Sequence, residues 1–181
     1  MTRLSILIAA ASIVVLSTTQ VHAQSGTFRQ SHDLGFGGTE NADPIHPNRF
    51  WQVTEKTMNR LLRPDASGVP SPDLAVSWSA SDDASVWTFK LREGVKFHDG
   101  SDFDSGDVVD LLMRIKDPEL ASPVASVLKV MDKVEAVDPL TVKITLSAPH
   151  ADFPLLLMDY RIRMTPEGSG DTIGKTGIGT G

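Results

Sequence analysis

Apolar and polar side chains alternate over positions 86–91 and predict a half-buried β-strand. The alternation resumes over positions 95–97, after a break at Glu93-Gly94, and predicts a second short strand. Asp99-Gly100 then supplies a turn, because its glycine tolerates positive φ. A strand, a turn, a second strand and the start of a helix therefore follow one another without a gap.

A helical periodicity begins after this turn and ends at Asp117-Pro118. Asp104 lies three residues before Asp107, which predicts an N-cap followed by an acidic residue in the first turn. The unpaired N–H groups and the dipole at a helix start favour negative charge there. One face of the predicted helix carries the apolar residues Val108, Leu111, Leu112 and Ile115.

Similar patterns predict elements before this segment. Positions 48–63 predict a helix that starts at Asn48 and stops at Pro64. Positions 74–78 alternate and predict a strand that forms a hairpin with the strand starting at Val86. A further short strand is predicted near Leu34 and Phe36. The phase of the hairpin strands puts Trp78 and Trp87 in the core.

The second half of the chain predicts another hairpin, from strands over positions 130–137 and 141–147. Asp152 is placed to cap a short helix that tolerates Pro154 in its first turn. Positions 160–164 alternate weakly and predict a last strand before a glycine-rich stretch. Hairpins with intervening helices predict an α/β protein of mixed α and β layers.

The amino terminus has the pattern of a secretory signal. Arg3 precedes an apolar stretch over positions 4–16, and Val21-His22-Ala23 places small residues where a signal peptidase reads them. We predict a signal peptide over residues 1–23 and a mature chain over residues 24–181. The apolar stretch is too short to favour a membrane span.

Composition limits the chemistry. The sequence has no cysteine, which excludes disulfides, thiolate metal sites, cysteine nucleophiles and a lipid-modified cysteine at the cleavage point. The formal net charge is −6 and the basic residues are dispersed, so we do not expect nucleic acid as a partner.

No catalytic or metal motif is recognisable. The chain lacks a Gly-x-Ser-x-Gly elbow and a His-Glu-x-x-His motif, so no nucleophile and base stand at a known spacing. His98 next to Asp99 has no second histidine at helical or hairpin distance, and we interpret it as an exposed or hydrogen-bonded turn residue. We predict no catalytic residue, no metal and no cofactor.

The best candidates for ligand binding lie near the end of the ordered pattern. They include two arginines, and an arginine can grip a carboxylate with two parallel hydrogen bonds. A second, weaker candidate is Glu40 with its neighbour Asn41, since a carboxylate there could receive the amino group of a peptide. The alternative for the first set is a solvated, charged strand. The first set is Asp159, Tyr160, Arg161 and Arg163, and the second is Glu40 and Asn41.

Several short motifs in order resemble the bacterial extracellular solute-binding proteins of family 5, the receptors of ABC importers for oligopeptides, dipeptides, nickel and related solutes. The most specific of them is Gly94-Val-Lys-Phe-His-Asp-Gly100. The others are Pro72-Asp-Leu-Ala75 with Ser77-Trp78, Thr88-Phe-Lys-Leu-Arg92, Asp107-Val-Val109, Asp117-Pro118, Val134-Glu-Ala-Val-Asp138, Thr141-Val142 and Thr176-Gly-Ile-Gly-Thr-Gly181.

The resemblance implies a fold similar to the type II periplasmic binding proteins and a non-catalytic role. A receptor of this kind captures a peptide or another small solute and delivers it to a membrane permease. We expect a monomer that is free in the periplasm, without a lipid anchor.

Members of this family are much longer, and a second lobe closes their ligand cleft. The resemblance therefore implies that residues 24–181 are a truncated amino-terminal part with one wall of the cleft. Two alternatives remain open: a non-functional remnant or incomplete gene model, and a secreted enzyme of mixed α/β fold.

Overall fold

A four-stranded antiparallel sheet organises the protein, as seen in a computed structural model that describes residues 41–47, 49 and 51–181. The predicted signal peptide, the strand near Leu34 and Phe36 and the Asn48 cap lie outside the described residues. The elements are α1 Trp51–Thr57, β1 Leu62–Pro64, β2 Pro70–Pro72, β3 Ala75–Ala80, β4 Val86–Leu91, α2 Ser105–Lys116, a 3₁₀ turn Pro118–Leu120, β5 Met131–Asp138, β6 Thr141–Leu146, α3 Phe153–Leu156 and α4 Ile173–Thr176.

Both predicted hairpins are present and lie side by side in the sheet, whose strand order is β3-β4-β6-β5. The centre is formed where β4 pairs with β6, which sets Trp87 opposite Ile144 and Phe89 opposite Val142. These four side chains are buried, whereas the alternate positions of β4 are less so, because successive residues of a strand point to opposite faces. The mixed α and β architecture agrees with the prediction.

The helix α2 covers the buried face of the sheet and packs on β5 and β6. The four residues predicted for its apolar face, Val108, Leu111, Leu112 and Ile115, are all fully buried. They join one continuous core with residues of β4, β5 and β6. Burying a leucine or isoleucine of this kind contributes about 1.5–3 kcal/mol relative to its exposure.

The start of α2 is a capping box, as the Asp104 to Asp107 spacing predicts. The Asp104 carboxylate accepts a hydrogen bond from the Gly106 N–H at 2.7 Å. In return the Asp107 carboxylate accepts one from the Asp104 N–H at 2.8 Å and another from the Glu167 N–H at 2.7 Å. The bond from Glu167 has no signal in the sequence, and it ties the helix to a loop sixty residues later.

Asp107 should make the stability of the protein depend on pH. Burial raises its pKa to about 6, the Asp104 and Glu167 carboxylates add to the rise, and the two backbone N–H groups oppose it. In an unfolded chain the pKa is about 3.9. Between these values the folded protein holds a proton that the unfolded chain has released, so the free energy of unfolding falls as pH rises from about 4 to about 6.

We expect this fall to be about 1–2 kcal/mol, because solvent at the helix end screens part of the shift. Urea unfolding at a series of pH values would measure it, with Asp107→Asn as the comparison. The variant should be less stable than the parent at pH 7, since it loses one of two acceptors, but it should lack this component of the slope. An identical slope in both proteins would contradict the assignment.

The predicted helix over positions 48–63 is wrong in its second half. The helix α1 ends at Thr57, and Leu62–Pro64 is a strand that pairs with β2. The carboxylate of Asp73 accepts hydrogen bonds from the backbone N–H of Arg60 at 3.0 Å and from the side-chain amide of Asn59 at 3.1 Å. These long-range bonds replace the helical ones, and Met58, Leu61 and Leu62 still reach the core.

The predicted strand over positions 95–97 is also wrong, because the described residues there form only an isolated bridge between Lys96 and Asp102. Phe97 and Phe103 are nevertheless buried, and their rings meet edge to face at 6.0 Å. The neighbours of β4 in the sheet are β3 and β6.

Two smaller predictions near the carboxyl end need correction. Positions 160–164 form no strand, because their backbone follows turns held by the side-chain bonds of Asp159, Arg161 and Arg163. Asp152 stands at the N-cap position of α3, but its side chain accepts no hydrogen bond from that helix. Of the two tryptophans predicted for the core, Trp87 is buried and Trp78 is only half-buried at its edge.

Candidate functional site

The candidate binding segment follows α3 and is shaped by an internal ion pair. Arg161 grips Asp159 with two parallel hydrogen bonds, Nε to Oδ1 at 2.8 Å and Nη2 to Oδ2 at 2.5 Å. The Arg161 N–H also donates to Oδ1, and Nη1 donates to the Pro123 carbonyl at 3.2 Å. This fork of hydrogen bonds fixes the turn that presents Tyr160.

The electrostatics of this pair follow from partial burial. Burial is the largest influence on Asp159 and would raise its pKa, but the hydrogen bonds and charge of Arg161 outweigh it and lower the pKa. The hydrogen bond to Asp159 is the largest influence on Arg161 and raises its pKa. Because each charge is already neutralised by the other, neither is the first choice to bind a ligand.

Tyr160 is the exposed centre of the segment, with about half of its surface open to solvent. Two guanidinium groups lie over its ring, Arg49 at 5.4 Å and Arg161 at 5.5 Å from the centroid. The Arg49 Nη2 also donates to the phenol oxygen at 2.7 Å. Because Arg161 is neutralised by Asp159, Arg49 supplies the positive charge beside the phenol, which suits an anionic or carbonyl group of a ligand.

Arg163, the last of the predicted binding residues in this segment, has its side chain turned into the protein. It is 5% exposed and donates to three backbone carbonyls, those of Tyr160 at 2.9 Å, Met58 at 2.6 Å and Glu55 at 3.5 Å. Burial lowers its pKa to about 10. The guanidinium joins the end of α1 to the Tyr160 turn, and we leave it out of the candidate surface.

The second predicted pair is only partly visible, because Glu40 lies outside the described residues. Asn41 forms a parallel β-bridge with Arg49, and its side-chain oxygen accepts the Asp43 N–H at 2.8 Å. Asn41 thus positions Arg49, and Arg49 in turn contacts Tyr160, so the two predicted binding segments are linked through Arg49. We call Asn41, Arg49, Asp159, Tyr160 and Arg161 the Tyr160 surface.

Arg49 is the residue of this surface that sequence reasoning missed. It lies in a stretch whose pattern predicts the start of a helix, and nothing in its neighbours signals a contact with Tyr160, 111 positions away. Its Nε is buried and has no hydrogen-bond partner among the described residues. A buried N–H of this kind normally has an acceptor, so the Nε of Arg49 is an unmet donor within the fold.

His98 is a hydrogen-bonded turn residue, as predicted. Its Nδ1 accepts the Gly179 N–H at 3.2 Å, which assigns the proton to Nε2, and Nε2 donates to the Gly181 carbonyl at 2.7 Å. The backbone N–H of His98 donates to the Gly179 carbonyl at 2.9 Å. The most specific sequence motif and the closing glycine motif are thus one structural unit.

Metal sites and membrane spans have no candidates in the part of the chain that the structure describes. Those residues contain no group of three or more histidine, aspartate or glutamate side chains that could hold a metal ion. None of the described helices is long and apolar enough to cross a membrane.

Comparisons of the sequence and the fold with known proteins identify the family of this chain. Residues 69–181 match the model of the bacterial extracellular solute-binding proteins, family 5 Middle. The glutathione-binding protein GsiB of Shigella boydii is 41% identical over 112 residues, which are 60% of this chain and 22% of that protein.

Two solved structures share the fold. The binding protein AgaA of A. tumefaciens, in complex with agropinic acid, is 31% identical with a TM-score of 0.68, and the match covers 78% of this chain and 30% of that one. NikZ of Campylobacter jejuni, in complex with Ni(L-His), is 28% identical with a TM-score of 0.66 and coverage of 78% and 29%. These neighbours confirm the predicted type II periplasmic-binding-protein-like fold.

The chain spans between about a fifth and a third of the length of these relatives. Proteins of this family bind small solutes for ABC transporters, are non-enzymes in general and are periplasmic in general. The match covers more than half of the chain, and it includes the motifs that join His98 to Gly179. The chain belongs to the bacterial extracellular solute-binding proteins of family 5.

Proposed function

We propose that this chain is part of the periplasmic substrate-binding component of an ABC importer for peptides or related small solutes. The observation that carries the proposal is the family match over residues 69–181. Relatives that bind glutathione, agropinic acid and a nickel–histidine complex support a small solute with charged groups. The complete receptor delivers its solute to a membrane permease and catalyses no reaction.

The same proposal includes the export of the protein and its oligomeric state. Residues 1–23 are removed as a signal peptide after export, and residues 24–181 start the mature receptor as a monomer without a lipid anchor. The net charge of −6 and the dispersed basic residues argue against nucleic acid as a partner.

The Tyr160 surface is the part of the ligand cleft that this chain supplies. Arg49 offers a guanidinium that is hydrogen-bonded to the Tyr160 phenol, and the Arg161 guanidinium lies over the same ring. A carboxylate of a solute fits this chemistry, because arginine binds carboxylates through paired, charge-assisted hydrogen bonds. Asp159 and Arg161 position the ring, and Asn41 positions Arg49.

Capture in the complete receptor requires a second wall. A ligand that contacts both walls has a higher affinity for the closed form and shifts the population towards it, and the permease then reads the closed form. Small-molecule sites normally bury about 70–90% of their ligand. A single wall cannot do so, and we expect this chain by itself to bind solutes weakly.

An NMR titration of the isotope-labelled chain with a mixture of dipeptides, tripeptides and glutathione would test the proposal. We expect dissociation constants of about 1 mM or weaker, with the largest shifts at Arg49 and Tyr160. Arg49→Ala should weaken this binding by about fivefold or more, because it removes the charged donor.

A matched control is Arg63→Ala, which removes an exposed arginine of β1 outside the Tyr160 surface and should leave the binding unchanged. Micromolar affinity would contradict the role as one wall of a cleft. Shifts that avoid Arg49 and Tyr160, or equal effects of the two variants, would contradict the assignment of the surface.

A further inference from the structure

A concave feature lies apart from the Tyr160 surface, between the β1–β2 hairpin, the β3–β4 hairpin and the start of α3. It is an open cleft of about 450 Å³. The residues that define it are Val69, Pro70, Trp78, Trp87, Asp152 and Leu155. Because it shares no residue with the Tyr160 surface, a ligand in this cleft is independent of the proposed function.

The walls of this cleft are apolar and partly open to solvent. Val69 is 54% and Leu155 is 44% exposed, although both are aliphatic. Trp78 is half-buried, and Trp87 lines the cleft from the edge of the core, where its ring stacks on Phe89 and is tilted against Phe153. Exposed apolar residues that are grouped around a concavity, rather than scattered, are typical of a binding site.

One charged group faces this apolar cleft. Asp152 is exposed, and it is the only charged residue among the described residues that line the cleft. Its carboxylate accepts no hydrogen bond from α3, and no other described residue pairs with it. By contrast, Asp159 and Asp83, which also start turns, have their carboxylates engaged by neighbours.

The tryptophan rings together with the Asp152 carboxylate favour a positively charged ligand. Indole rings attract cations through the negative face of their π-system, and tryptophan is the best aromatic residue for this. A carboxylate without a partner attracts the same cations, and the net charge of −6 strengthens the attraction at long range. The same features repel an anion, and a neutral apolar molecule would leave Asp152 unused.

We infer that this cleft binds a small organic cation that carries an apolar group, such as a primary amine or a quaternary ammonium with an aromatic or branched body. The cation lies against Trp78 and within reach of Asp152, and the apolar body packs on Val69 and Leu155. The site is one of solute binding and not of catalysis.

The test is an NMR titration that follows the indole N–H signals of the three tryptophans, assigned by single replacement with phenylalanine. The probe is phenethylamine, which is an ammonium ion at pH 7. We expect saturable shifts of the Trp78 and Trp87 signals. Benzyl alcohol and phenylacetate, which are neutral and anionic molecules of similar size, should bind at least about threefold more weakly.

Two variants complete the test. Asp152→Asn should weaken phenethylamine binding by at least about threefold, and the matched control Asp82→Asn, an exposed loop carboxylate, should not. Trp78→Leu keeps the position apolar and should weaken the cation more than the alcohol. Equal affinity for all three probes, equal effects of the two aspartate variants, or no saturable shift of Trp78 and Trp87 would each overturn the proposal.

Discussion

Replacing Gly179 with alanine should lower the free energy of unfolding by about 2–3 kcal/mol or detach the segment over positions 176–181 from the domain. A Cβ at this position would overlap the carbonyl oxygen of Thr57 and lie 2.6 Å from Cγ of Met58. The backbone of Gly179 cannot retreat, because its N–H and its carbonyl are both hydrogen-bonded to His98. Urea unfolding monitored by tryptophan fluorescence would measure the loss.

A matched control separates the steric effect from the general effect of adding a methyl group to a glycine. Gly68 has open space where a Cβ would lie, but its φ is +81°. Gly68→Ala should therefore cost only about 1–2 kcal/mol, from the left-handed backbone alone. If Gly179→Ala proved no more costly than Gly68→Ala, the close packing on α1 would be refuted. NMR signals of the His98 ring should move in the first variant and not in the second.

Replacing Arg163 with alanine should cost about 3 kcal/mol in the free energy of unfolding. The guanidinium is the hydrogen-bond donor for the carbonyls of Tyr160 and Met58, which lie in different parts of the chain. Its loss leaves buried acceptors without a donor and a cavity beside α1. Thermal and urea unfolding would measure the change.

Arg163→Lys is the control, because lysine keeps the charge but cannot donate in two directions from a planar fork. We expect it to recover about half of the loss. Arg161→Ala should act differently: it frees Asp159 and loosens Tyr160, so it should reduce solute binding more than stability. If Arg163→Ala left stability unchanged and abolished solute binding, its place in the ligand cleft, predicted from the sequence, would be correct after all.

The regular elements of the fold were largely predictable from the sequence because they rest on local rules. The capping box at Asp104 and the four apolar residues of α2 follow from spacing alone, and the alternation in β4 and β6 marks their buried faces. The errors have a common cause. Helix α1 stops early because Asp73 captures Asn59 and Arg60, and such a long-range partner leaves no local signal.

In the candidate site, too, local features were predictable from the sequence and long-range contacts were not. The charged and aromatic composition of Asp159 to Arg161 made this segment the candidate for ligand binding, which stays a prediction. Which cation remains available was not predictable, because it depends on Arg161 pairing with Asp159 and on Arg49 reaching Tyr160 from 111 residues away. The burial of Arg163 likewise depends on carbonyls of α1 and the residue after it.

Spacing, periodicity and short motifs were enough to identify the family, the hairpins, the capped helix and the turn role of His98, because each of these depends on residues close together in the chain. The partner of each charge became known only from the folded protein, since side chains distant in sequence compete for the same groups. The same holds for the cleft that Trp78 and Asp152 border and for the packing of Gly179 on Thr57. Those contacts exist only after the chain has folded.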